Sequence, residues 1–186
     1  MAREEEKGPR LVRRRGPMVK VDIKPFELSW QTVGRTVLIV TQGKDGKPNP
    51  MTAGWLQLGG LWGLPIITIA VRPERYTYKL LEECPEFTLN VPGKNLKDAV
   101  AVCGKKSGRD MDKFAVCGMT ATPGRKISVP SIEEARIVYE CKVVLTAQSE
   151  PITTHRLYFG EILAAYADAK LVTKTGKERG RGRTVR

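Results

Sequence analysis

Two extended apolar runs flank the tetrapeptide Lys44-Asp45-Gly46-Lys47. Asp-Gly is among the strongest short-range hairpin signals, because both residues enter the left-handed backbone region at little cost. The run before it, Thr36 to Thr41, reads Thr-Val-Leu-Ile-Val-Thr, β-branched and of strand length. The run after it, Pro50 to Leu58, reads as the returning strand. A tight hairpin commits this region to antiparallel pairing, since parallel strands need a crossover of a dozen or more residues.

The rest of the chain extends that commitment. Pro65 to Val71 has the near-continuous apolar character of a strand buried on both faces. Tyr76 to Glu83 has helical spacing and is ended by Pro85, after which Phe87 to Val91 returns to strand. Leu96 to Cys103 reads as a short amphipathic helix closed by Gly104, and Asp110 as the cap of a second, Met111 to Cys117, closed by Gly118. From Ile137 to Ser149, Tyr139, Cys141, Val143 and Leu145 alternate with Glu140, Lys142 and Val144, and Leu157 to Tyr166 repeats the strand character. Five or six strands with two or three inserted helices predict a mainly β, antiparallel barrel of Greek-key type rather than a doubly wound sheet.

At 186 residues, one domain is the default, and it needs no disulfide or metal for stability. The net charge of +12 is unevenly spread. Residues 1–20 carry +4 and residues 174–186 carry +5, which leaves +3 on the body between them. We therefore divide the chain into a basic N-terminal tail (1–20), a domain (21–173) and a basic C-terminal tail (174–186). The tails read as solvated extensions or as contacts for acidic partners such as nucleic acid. They lack the interleaved aromatics that stack on bases, which disfavours a nucleic-acid-binding module. No apolar run reaches the ~18 residues of a membrane span, and the acidic start Met-Ala-Arg-Glu-Glu-Glu does not read as a secretory signal. The expected location is the cytoplasm. Cys84, Cys103, Cys117 and Cys141 include no C-x-x-C pair, and His155 is the single histidine, so a zinc site is disfavoured and reduced thiols are expected.

The common catalytic devices are missing: there is no G-x-S-x-G, H-E-x-x-H, phosphate loop or dinucleotide fingerprint. An enzyme of this composition borrows its reactive group from a cofactor. Three segments suit one. In Asn49-Pro50-Met51-Thr52-Ala53-Gly54-Trp55, the small side chains of Thr52, Ala53 and Gly54 let a flat ligand approach the backbone, with Trp55 as a wall; a tightly packed barrel corner would read the same way. Val71-Arg72-Pro73-Glu74-Arg75-Tyr76 joins a strand to a helix start, an anion site reinforced by Arg72 and Arg75 unless Glu74 pairs with them. The segment from Cys103 to Phe114 gathers four cations, glycines and the Ser107 hydroxyl, which suits phosphate as well as it suits a polar loop.

In this order and spacing the segments resemble the flavin reductase-like family that includes flavoredoxin and ferric reductase. The matching stretches are the Thr36–Thr41 strand, Pro-Asn-x-Met-Thr-x-Gly-Trp, Arg-Pro-Glu-Arg-Tyr-Thr-Tyr, Phe87 to Pro92, Cys-Gly-x-x-Ser-Gly-Arg-Asp-x-Asp-Lys-Phe, and His155 to Ile162. The resemblance covers roughly residues 25–168. It implies an FMN-binding split barrel, one noncovalent FMN per subunit of a homodimer, and NAD(P)H as electron donor. The implied activity is flavin or ferric reduction by hydride transfer to FMN, with a flavoredoxin-like electron carrier as the alternative. It further implies that Thr52 to Trp55 line the flavin and its ribityl chain. Val71, Arg72, Arg75 and Tyr76 fall on the phosphate side, and Ser107, Arg109 and Lys113 form a second polar segment. His155 falls near the flavin or the donor, and Phe159 is a ring contact or a core residue. Thr153-Thr154 replace the Gly-Asp that relatives carry before the histidine, and Gly63-Leu64-Pro65 replace an Asp-Pro-Pro turn.

Overall fold

The computed structural model describes residues 18–34 and 36–172, so most of both basic tails lies outside the described residues. In chain order the elements are β1 (Lys20–Asp22), α1 (Trp30–Val33), β2 (Val37–Gln42), β3 (Pro48–Ala53), β4 (Leu56–Leu61), β5 (Leu64–Val71), α2 (Tyr76–Glu83), β6 (Glu86–Val91), a 3-10 turn (Lys94–Leu96), α3 (Lys97–Lys105), α4 (Lys113–Cys117), β7 (Ala121–Thr122), β8 (Ser131–Ile132), β9 (Ile137–Gln148) and β10 (Arg156–Asp168). The main sheet runs β3-β2-β6-β9-β10-β5-β4, with β1 added alongside β10 and β7-β8 as a separate pair. Every pairing is antiparallel, so the mainly β barrel with inserted helices is the architecture found.

The Asp-Gly signal does form the β2–β3 hairpin. Gly46 takes φ 71° and its N–H donates to the Gly43 carbonyl at 3.0 Å, while the Asp45 carboxylate accepts from Lys47 N–H at 3.0 Å. Pro48 and Pro50 stand on β3, an edge strand, where a missing N–H is tolerated.

The returning run is two strands, not one. β3 pairs with β2 at one end of the sheet, and β4 pairs with β5 at the other. Gly54-Trp55 carries the chain from one edge to the other, and Ala70 N–H donates to the Trp55 carbonyl at 3.1 Å. The sheet therefore curls until its edges meet at a covalent link instead of a hydrogen-bonded ladder. Periodicity does not reveal this break, because Gly54-Trp55 continues an extended pattern.

Two apolar clusters hold the barrel. Val37 and Ile39 of β2 face an interior that also holds Ile67, Ile69, Phe87, Tyr139, Cys141 and Tyr158. Leu38 and Val40 face the opposite way, under Ala99, Cys103, Phe114 and Cys117 of α3 and α4. That double burial explains the unbroken β-branched run. β5 is buried on both faces only at Ile66 and Ile67: Ile67, Ile69 and Val71 face the interior, whereas on the other face Ile66 is buried and Thr68 and Ala70 are half-buried. The alternation of β9 is interrupted too. Phe159 pairs with Leu145 but Gly160 pairs with Val143, so Val144 is a bulge and Leu145 turns outward, 40% exposed. Gly160 has to be glycine because an added Cβ would lie 2.6 Å from the Phe87 ring.

The helix boundaries also shift. α3 runs through Gly104, which lies against Thr52, with an added Cβ 3.5 Å from the threonine Cβ. Asp112, not Asp110, caps α4: its carboxylate accepts from Ala115 N–H at 3.1 Å, and Gly118 closes the helix at φ 64°. Both aspartates suit a cap, and the core positions of Phe114 and Cys117 decide between them. All four cysteines are free thiols; Cys84 is half-buried and the others buried.

Candidate functional site

Two adjoining cavities form on one side of the barrel split. The first, about 270 Å³, lies where β3 and β5 end. Thr52, Ala53, Gly54 and Trp55 line it from one edge, Val71, Arg72 and Arg75 from the other, and His155 from the residue preceding β10. Met51 and Ala70, not singled out from the sequence, complete the wall. The register reveals Ala70, since Leu56 opposite Ile69 sets Trp55 beside Ala70.

The walls are unequal in kind. Ala53 is buried, Gly54 exposes its backbone, and Trp55 is 73% exposed. The Thr52 hydroxyl donates to the Val100 carbonyl of α3 at 2.6 Å, so it ties β3 to a helix while keeping lone pairs to accept with. The His155 Nδ1 is hydrogen-bonded to the Thr153 hydroxyl, and Ser149 Oγ donates to the His155 carbonyl. Thr153 thus fixes the imidazole.

The second cavity, about 130 Å³, shares Met51 and Arg75 with the first. It is lined by Tyr76 at the start of α2, by Lys105 at the end of α3 and Lys106 to Arg109 after it, and by Lys113 at the start of α4. Among the described residues, neither the Arg72 nor the Arg75 guanidinium pairs with an acid, which removes the alternative of a Glu74 pair. Arg109 packs over the Tyr76 ring at 5.3 Å and donates to the Glu74 carbonyl at 3.2 Å. Ser107 Oγ accepts from Arg109 N–H at 3.2 Å. Lys113 is 3% exposed, and its ammonium donates to the Pro50 carbonyl at 2.8 Å. Burial pushes its pKa below the ordinary lysine value. No side chain caps the N–H groups at the start of α2.

Asn49 and Cys103 also line this cavity. Asn49 is 5% exposed; its Nδ2 donates to Thr77 Oγ1 at 3.1 Å, and its Oδ1 has no partner among the described residues. Gly108 lies directly on that oxygen, so near that an added Cβ would fall 2.0 Å from it. An orphaned buried carbonyl is costly and rare. Its place in the Asn49–Trp55 segment was the available signal; its burial was not legible. Phe159 lines neither cavity and lies half-buried on the outer face of β10.

A continuous cleft thus joins a backbone-lined slot to a cation-lined pocket. Comparison with known proteins gives this arrangement its context: a family profile described as "Flavin reductase like domain" matches residues 30–179. The chain belongs to the flavin reductase-like family. An uncharacterized protein of Archaeoglobus fulgidus is 36% identical over 129 residues, covering 69% of this chain and 70% of its own. Among solved structures, the flavoredoxin of Desulfovibrio vulgaris (Miyazaki F) superposes with a TM-score of 0.65 at 27% identity, over 73% of this chain and 70% of its own. An FMN-binding domain of a flavin reductases-like enzyme from Shewanella baltica reaches 0.73 over 84% of this chain and 81% of its own; at 19% identity it speaks for the fold. A further member, from Shewanella frigidimarina, is described as having a split barrel domain, in keeping with the β3–β4 break.

Proposed function

We propose that this flavin reductase-like protein binds FMN noncovalently across the two cavities and uses it to pass electrons from NAD(P)H to a small acceptor such as free flavin or a ferric complex. The observation that carries the reading is the junction at Met51 and Arg75, where a slot of small residues opens into a pocket of cations. Together the cavities fall in the ~300–1,000 Å³ range of small-molecule sites. The residues fit the cofactor: Thr52, Ala53, Gly54 and Trp55 for the flat ring, and Arg75, Tyr76, Ser107, Arg109 and Lys113 for the phosphate. The orphaned Asn49 carbonyl marks a pocket with polar capacity to spare.

When bound, FMN would supply hydride-accepting chemistry that no side chain of this protein offers. The chain's own residues bind and orient. Backbone groups at Ala53 to Trp55 read the rim of a flat ring, and the Trp55 indole covers it. Arg75 offsets negative charge where the cavities meet and Arg72 does so in the first cavity, neither of them paired with an acid among the described residues. His155, whose Nδ1 is held by Thr153, lines the first cavity on what would be the donor side. Lys113 holds its ammonium in place through the Pro50 carbonyl, so a bound phosphate meets a charge already oriented.

The outer face of the sheet supports a homodimer. Trp55, Ala70 and Leu157 form one apolar row and Phe159 with Leu145 the next, and Trp55 also lines the first cavity. A second copy seated on this face would bring its surface to the rim of the cleft.

FMN titration followed by anaerobic mixing with NADH and with NADPH tests the reading. Micromolar or tighter FMN binding and rapid bleaching of the flavin band are expected; a protein that FMN fails to turn yellow refutes it. The likeness to flavoredoxins favours one alternative, an electron carrier reduced by another protein. In that case FMN binds but neither nicotinamide bleaches it.

A further inference from the structure

The second cavity holds a polar group that its cations do not account for. Asn49 is buried, yet its side chain is only half satisfied: Nδ2 donates to Thr77 Oγ1 at 3.1 Å, and Oδ1 has no partner among the described residues. The Thr77 hydroxyl makes no other hydrogen bond among the described residues, so its own proton is unused. Both residues line the cavity, Thr77 from the first turn of α2, where no side chain caps the helix N–H groups. Lys113 is anchored beside them, on the carbonyl of Pro50, the next residue of β3. Carboxamide and ammonium are thus held at adjacent positions of one strand, and Glu74 is the one acid among the lining residues.

A carboxamide offers an acceptor at one end and donors at the other, and a hydroxyl pairs with either. Half a turn of the Asn49 carboxamide exchanges the two ends without changing its shape. The Thr77 hydroxyl then donates to Oδ1, which satisfies both unused groups with one bond, and the NH2 group takes the place of the orphaned oxygen. Whichever way the carboxamide faces, one end lacks a partner until something in the cavity completes it, and a buried polar end left alone is costly. A cavity ringed by cations takes an anion, and the oxygens of an anion are acceptors. They complete the NH2 end.

We infer that Asn49, oriented by Thr77, donates its side-chain N–H to the phosphate of the bound cofactor, and so makes the cleft select a flavin phosphate ester over the unphosphorylated flavin. The inference rests on the FMN reading for the identity of the ligand. The carboxamide adds what the cations lack. Lysine and arginine charges attract any anion and are screened by salt, whereas a buried N–H held by a neighbour has one direction and little salt dependence. Gly108 walls the carboxamide in, since an added Cβ there would fall 2.0 Å from Oδ1.

Fluorescence titration of the full-length protein with FMN and with riboflavin tests this. Asn49→Asp, the same shape with a carboxylate in place of the amide, is expected to raise the FMN Kd roughly a hundredfold while the riboflavin Kd stays within about twofold. Thr77→Val should raise the FMN Kd about three- to tenfold, again without effect on riboflavin, and Thr77→Ser should restore it. If Asn49→Asp weakens both flavins alike, or neither, the role of Asn49 is structural and the inference is overturned. Tighter FMN binding in Asn49→Asp overturns it as well, because the ligand then offers a hydroxyl to an acceptor. Should thermal melting show that the aspartate variant does not fold, Asn49→Ala takes its place, with about a tenfold rise expected in the FMN Kd alone. If the unaltered protein binds neither flavin, the functional reading has failed. Titration with inorganic phosphate then decides the carboxamide by itself: the Asn49 side-chain NH2 resonance shifts if it meets phosphate, and an unmoved resonance refutes the contact.

Discussion

The two cavities differ in what builds them. The first is cut from the sheet itself, with walls of β3 and β5 backbone and small side chains fixed by strand register. The second is built by side chains on a loop and two helix starts, with Lys113 and Asn49 buried behind it. Backbone walls read shape and the edge of a ring, and they tolerate substitution. Side-chain cations supply most of the attraction for a phosphate, so affinity concentrates there.

The sharpest way to break that contrast is to remove cations. Arg75→Ala with Lys113→Ala should raise the FMN Kd at least a hundredfold, since each charge-assisted hydrogen bond contributes ~1.5–3 kcal/mol. Fluorescence titration measures this, and an unchanged Kd assigns the phosphate elsewhere. Next is Gly108→Ala, whose Cβ would collide with Asn49 Oδ1 while Thr77 holds the amide in place. A loss of about tenfold in FMN affinity and a Tm lowered by several degrees are expected, from ~1–3 kcal/mol of overpacking. Replacing His155 by Gln should separate the two ends of the cleft. The FMN Kd stays within about twofold, while stopped-flow reduction by NAD(P)H slows roughly three- to tenfold through misplacement of the donor; equal loss of both would put His155 on the cofactor side. The smallest effect is expected for Thr52→Val. It removes the hydroxyl bonded to Val100, costing ~0.5–1.5 kcal/mol of stability in urea unfolding, with FMN affinity nearly unchanged.

Titration sharpens the picture away from the site. Burial pushes Tyr139 and Tyr166 up to about 12, above the ordinary phenol value of 10. Their stabilising contribution is therefore complete below pH ~10 and lost as pH rises toward 12. Tyr158, buried and hydrogen-bonded to Glu82, is pushed higher still, so spectrophotometric titration should show three tyrosines ionising only as the barrel opens.

Much of this was legible in residue order. The α2 boundaries follow from helical spacing ended by Pro85, and β2 from its β-branched run. The sequence-predicted site residues gather around the two cavities, whereas Phe159 stands apart. What stayed hidden is tertiary. That Gly54-Trp55 changes sheet edges depends on how the sheet curls. The Val144 bulge depends on Gly160 admitting the Phe87 ring, and the burial of Asn49 depends on Gly108 lying against it. Short pieces such as β1, β7 and β8 have too few residues to show a period.

The link at Gly54-Trp55 has one more consequence. β3 and β4 are the two ends of the main sheet, and among the described residues each keeps one edge of N–H and C=O groups without a strand beside it. The cleft opens next to that seam. A flat heteroaromatic ring with donors and acceptors along its rim resembles, in its hydrogen bonding, a short length of missing strand. Seated there, it would act as a keystone as well as a reagent, and the barrel would be most firmly closed when it is loaded to react.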